Sequence, residues 1–127
     1  MHTRRLILAA LWSAAACAGE DAAPAAAAPT LEGTPEPAYA SCAAFYFTSA
    51  NGKSMKEYDD LYRAGEDTLN AAKKELGRDA GERAMETASG QMMKAINHNW
   101  RFVDALGTKY RMPCAEFHER AKAVTAE

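Results

Sequence analysis

The sequence predicts a small all-α domain of about four helices, bundle-like and closed by one disulfide, preceded by an export signal and an unstructured linker. Three observations carry this prediction. From Ala38 onward apolar residues recur at steps of three and four, which is the period of a helix face. Ser, Gly and Pro fall where helices start and stop. Two cysteines, Cys42 and Cys114, remain once the leader is set aside, and an even pair in an exported chain reads as a disulfide.

Residues 1–18 read as the leader. Arg4 and Arg5 supply a positive start, and an apolar run over 6–16 follows it. That run is too short to span a bilayer, which needs about 20 apolar residues, but it suits a bacterial export signal. Two processing outcomes stay open. Ala16-Cys17-Ala18 fits signal-peptidase cleavage, giving a soluble product that begins near Gly19. Alternatively, Ala14-Ala15-Ala16-Cys17 resembles a lipoprotein box, in which Cys17 carries the acyl chains, although Ala14 stands where Leu is usual. Both outcomes place the protein in the bacterial cell envelope, periplasmic or lipid-anchored.

Residues 19–37 are rich in Pro and Ala and show no apolar period, so they read as a disordered linker between the leader and a helical domain over 38–127. The first helix, Ala38–Ala50, is the least amphipathic. Tyr39, Cys42, Tyr46 and Ser49 fit one helical face, whereas Phe45-Tyr46-Phe47 also fits a short strand. Asn51-Gly52 ends it as a turn. The second helix, Met55–Leu76, opens on the capping box Ser54…Glu57 and closes on Gly77. Its face runs through Tyr58, Leu61, Tyr62, Gly65, Leu69, Ala72 and Leu76.

Asp79 and Glu82 repeat the capping pattern. Met85, Ala88, Met92, Ile96, Trp100, Val103, Leu106 and Tyr110 then keep one phase. The phase predicts a single helix over 80–110, with a break at Asn97, His98 and Asn99 as the alternative. The last helix opens at Pro113, a residue suited to the first helical position, and lines Cys114, Phe117, Ala121 and Val124 on one face. Up-down-up-down order would put Cys42 and Cys114 at opposite ends of the bundle. Their bridge therefore requires a first helix that is short or packs across the others.

The core is thin, with 29 Ala against 16 Leu, Ile, Val and Phe in the whole chain. A disulfide closing a 72-residue separation would contribute about 4 kcal/mol, a large share of a small domain's stability. Net charge is −2, and without Arg4 and Arg5 it is −4, from 13 basic and 17 acidic residues. No basic stripe appears, which argues against nucleic-acid binding.

The sequence predicts no catalytic residues. Ser41, Ser49, Ser54 and Ser89 lack a neighbouring base or a glycine elbow, and the acidic run Asp59, Asp60, Glu66, Asp67 is interspersed with Lys and Arg as solvated faces are. It predicts no metal and no cofactor either. His98 and His118 have no metal-ligand spacing, CxxCH is missing, and methionines at helical spacing are core filling. The candidate interaction surface is Phe45, Tyr46, Phe47, Asn97, His98, Asn99 and Trp100, because three successive aromatics cannot point one way and exposed aromatics anchor partners. The expected function is a non-enzymatic interaction module that binds another envelope protein, as inhibitors, immunity factors and chaperones do. The alternative is a periplasmic carrier of a small ligand, metal or haem.

Overall fold

The computed structural model describes residues 28–51 and 53–126. The predicted export signal over 1–18, with Cys17, and the first part of the predicted linker lie outside the described residues. Within them the domain is all-α. Its helices are α1 (Ala38–Ala50), α2 (Met55–Leu76), α3 (Arg78–Ala95) and α4 (Leu106–Thr125), with a 3-10 helix at Trp100–Ala105 running into α4. None of these helices is long and apolar enough to cross a membrane.

Helix α1 is the centre of the fold. It packs against α2, α3 and α4, and every one of its residues except Phe47 is buried. A helix apolar on all sides is an interior helix, which is why no single face stands out in its sequence. Ala38, Ala40, Ala43 and Ala44 are fully inaccessible, and their small side chains let the three other helices close around it. The three aromatics therefore divide between two neighbouring helices. Phe45 stacks on Tyr110 of α4, Tyr46 meets His118 of α4, and Phe47 meets Tyr62 of α2. Residues 45–47 are helical, not a strand.

The linker is shorter than its composition implies. Residues 28–37 are folded, contrary to the expectation of disorder over 19–37. Thr34 donates its N–H to the Leu31 carbonyl at 3.0 Å, with Gly33 at φ +74° inside the turn, and Ala38 N–H reaches the Pro29 carbonyl at 2.8 Å. The turn drives Leu31 into the core against α1. A buried Leu is worth roughly 2 kcal/mol, enough to hold a short segment in place.

Helix α2 begins as expected. Ser54 accepts the Glu57 N–H at 3.4 Å, and the Gly77 N–H closes the other end on the Lys73 carbonyl at 2.8 Å. Gly77, at φ +98°, is also the residue before α3, so one glycine joins two helices. The predicted Asp79 cap is therefore displaced. Asp79 sits in the first turn of α3, where its charge favours the helix dipole, and Glu82 pairs with Lys73 at 3.4 Å instead. Gly81 makes this tight hairpin possible, because a Cβ there would stand 2.9 Å from the Lys73 backbone nitrogen.

The continuous helix over 80–110 does not form. Helix α3 stops at Ala95, and the break falls at Asn97, His98 and Asn99. The last helix also starts earlier than expected, at Leu106, so that Pro113 lies inside it. The physical reason is phase. Leu106, Tyr110, Cys114, Phe117 and Ala121 form one buried stripe, and continuing through Pro113 keeps all five in the core. Burial of that stripe outweighs the cost of an interior proline, about 3 kcal/mol.

This placement also removes the topological difficulty with the disulfide. Cys42 and Cys114 both lie in the interior of their helices, and α1 is short and central. The two residues form the bridge with a Cα–Cα distance of 5.3 Å, and both are fully buried.

Candidate functional site

Asn97, His98 and Asn99 form a helix break in which the backbone of the first two and the side chain of the third make defined hydrogen bonds. Asn97 and His98 are both left-handed, at φ +55°. The His98 N–H donates to the Met93 carbonyl at 2.7 Å and the Asn97 N–H to the Lys94 carbonyl at 3.0 Å. That pair of bonds is the Schellman termination, which satisfies the last carbonyls of α3. Asn99 then opens the next element, its side-chain oxygen accepting the Arg101 N–H at 3.0 Å. The His98 side chain is exposed, and Trp100 beside it is 46% exposed. The turn therefore presents His98 and Trp100 to solvent, while its backbone and both asparagines are used to turn the chain.

His118 is held elsewhere. Its Nε2 lies 2.9 Å from Asp67 Oδ2, joining α4 to α2, and the Tyr46 ring meets its face edge-on at 5.7 Å. Burial, followed by the nearby Glu119 charge, raises the Tyr46 phenol above its ordinary value. His118 and His98 do not converge. Among the described residues no group of three or more His, Cys, Asp or Glu is placed to hold a metal ion.

Of the predicted surface aromatics, Phe45 and Tyr46 are interior and Phe47 is half-buried. Of that predicted surface Trp100 is exposed, as is Phe102 near it, and a second exposed aromatic surface lies on α2, where sequence spacing assigns Tyr58 and Tyr62 to the core. Met55 is 77% exposed, Tyr58 40% and Tyr62 42%. Tyr58 stacks on Tyr62 with centroids 5.6 Å apart, and Phe47 meets Tyr62 at 5.0 Å. Phe47 in turn occupies the space that a side chain at 65 would need, since a Cβ on Gly65 would fall 2.6 Å from its ring. Phe47, Tyr62 and Tyr58 thus form a ladder from the core edge outward, with Met55 one turn further along the helix. Among the described residues nothing buries Met55, Tyr58 or Tyr62 on the N-terminal part of this face.

A concavity lies on a neighbouring face of α2, between α2 and α4 with the end of α1 as its floor. Its volume is about 370 Å³. Phe45, Leu61 and Val103 line it with apolar surface, and charged groups line its walls. Lys53 pairs with Asp104 across the groove, and that bond holds the Asp104 carboxyl below the usual carboxylate range. Sequence reading missed Lys53, Asp104 and Arg111. They come from three separate elements and share no spacing.

Comparison of the chain with protein-family models, with curated proteins and with solved structures found no match in any of the three.

Proposed function

We propose that this chain is an exported protein of the bacterial cell envelope that binds another protein through the exposed face of α2 and performs no catalysis. The export reading comes from the leader sequence, and the tether over 19–27 would leave the domain free to reach a partner. The observation that carries the binding reading is the ladder: two stacked tyrosines and a methionine, all at least 40% exposed, backed by a ring anchored over Gly65. Tyr is enriched at interface hot spots because it offers a large rigid contact area with a polar tip. Contiguous exposed aromatic surface of this kind marks interaction sites.

The test places a photo-crosslinking residue at Tyr62 and, as a control, at exposed Arg83 on α3, in the full chain in its own envelope. A discrete adduct from position 62 that is missing from position 83, and that disappears in Tyr58→Ala, is the expected result. Equal labelling at both positions, or none at 62 in a folded protein, would refute the reading.

A second reading, a carrier of a small ligand, is favoured by one observation, the groove floored by Phe45, Leu61 and Val103. Mass retained by the native protein purified from its envelope, and lost on denaturation, would support it over the first.

A further inference from the structure

The groove between α2 and α4 has walls of opposite character. The α2 wall carries Glu57 and Asp60, and the α4 wall carries Arg111. Three of the groove's charges, Lys53, Asp104 and Asp60, are already engaged. Asp104 is taken by Lys53, and Asp60 by Lys56 at 3.5 Å. The Glu57 carboxylate and the Arg111 guanidinium make no ion pair or hydrogen bond with another side chain among the described residues. Arg111 acts on Asp104 only through space, lowering its carboxyl after the larger effect of Lys53.

Arg111 lies back along its own helix. Its guanidinium lies over Gly107, one turn earlier on α4, so closely that a Cβ at 107 would stand 2.3 Å from Nη2. Gly107 itself lines the groove. A glycine at this point leaves room for the cationic fork against the helix at the groove wall, where a Cβ would make the fork shift.

We propose that this groove binds a free α-amino acid with a medium or large apolar side chain. The ligand's carboxylate would meet the Arg111 fork, which matches two carboxylate oxygens at once. Its ammonium would face Glu57, and its side chain would lie on Phe45, Leu61 and Val103. A cavity of about 370 Å³ falls within the range of small-molecule sites, which are mostly apolar with a few placed polar groups. A purely anionic ligand would leave Glu57 facing like charge, and a purely cationic one would do the same at Arg111. The opposed charges thus select a dipolar molecule. This inference rests on the carrier reading of the groove and is independent of the ladder.

The experiment is calorimetric titration of the full chain, after denaturing removal of bound molecules and refolding, with L-leucine, L-phenylalanine, N-acetyl-leucine and leucinamide. Saturable binding of leucine or phenylalanine is expected, with each blocked compound weaker by about tenfold, the loss of one charge-assisted contact. Arg111→Gln should weaken leucine about tenfold and leave leucinamide unchanged. Glu57→Gln should do the same for leucine and N-acetyl-leucine respectively. Gly107→Ala should mimic Arg111→Gln while circular dichroism stays native. Tyr58→Ala should leave all four affinities unchanged. Blocked compounds that bind as well as the free amino acids would overturn the ligand class and leave the carrier reading standing. No binding by any of the four, together with no retained mass on the native protein, would overturn both.

Discussion

Cys42 and Cys114 join the interior of the central helix to the interior of the last one, 72 residues apart in sequence and 5.3 Å apart between Cα atoms. The bridge ties α1, on which every other helix rests, directly to α4. In a core built largely of alanine this link carries a disproportionate share of the stability.

The first prediction concerns that link. Closing a loop of this length lowers the entropy of the unfolded chain by an amount worth about 4 kcal/mol in the chain-entropy model. The Cys42→Ala, Cys114→Ala double variant should lose a comparable amount in urea unfolding, with a steeper slope because the unbridged unfolded chain exposes more surface. Both sulfurs are fully buried, so reductant should act on the native protein only through its opening. Reduction that is fast under native conditions, or a double variant as stable as the parent, would contradict this account.

The second prediction concerns the turn at Asn97. A left-handed residue costs a Cβ-bearing side chain about 1–2 kcal/mol, less for Asn, and nothing comparable for Gly. Asn97→Gly should therefore be neutral or slightly stabilising, and Asn97→Ala should destabilise by about 1 kcal/mol. The urea midpoints of the two variants order them. If Asn97→Ala matched the parent, the left-handed termination would not be what stops α3.

These elements differ in how far they can be read from sequence. Ser54 and Gly77 are legible because caps act locally, through bonds within one turn. Asn97, His98 and Asn99 are ambiguous because the apolar phase from Met85 to Tyr110 runs through them. Only the backbone shows that two left-handed residues interrupt it. Pro113 misleads because a local preference yields to a buried stripe that extends on both sides of it. Leu31 is hidden by the proline and alanine around it. Tyr58 and Tyr62 look like core from spacing, yet nothing among the described residues buries them. The groove is not legible at all, since Lys53, Leu61, Asp104 and Arg111 are brought together only by packing.

The third prediction concerns Thr34 in the folded end of the linker. The residue is only 7% exposed, and among the described residues its hydroxyl has no hydrogen-bond partner. A buried polar group left without a partner costs about 1–3 kcal/mol. Thr34→Val keeps the shape and removes the hydroxyl, so it should raise the melting temperature. Thr34→Ser, which keeps the hydroxyl and loses a methyl, should lower it. A Val variant less stable than the parent would show that the hydroxyl is satisfied in solution.

The last prediction concerns alkaline pH. Burial, and then the Glu119 charge, raise the Tyr46 phenol above its ordinary value, and Tyr39 is raised by burial and by Glu75, partly offset by Arg120. A group whose folded pKa lies above its unfolded one contributes stability that is fully present below the unfolded value. That contribution is lost as pH rises through the folded value. Stability should therefore fall from about pH 10 upward, the ordinary range of tyrosine. Tyr46→Phe cannot ionise, so its stability should fall less steeply over the same range, while Tyr39 still supplies part of the decline. Urea midpoints between about pH 9 and 11, for the parent and Tyr46→Phe, measure both slopes. Parallel curves would mean that ionisation of Tyr46 is no harder in the folded protein than in the unfolded chain.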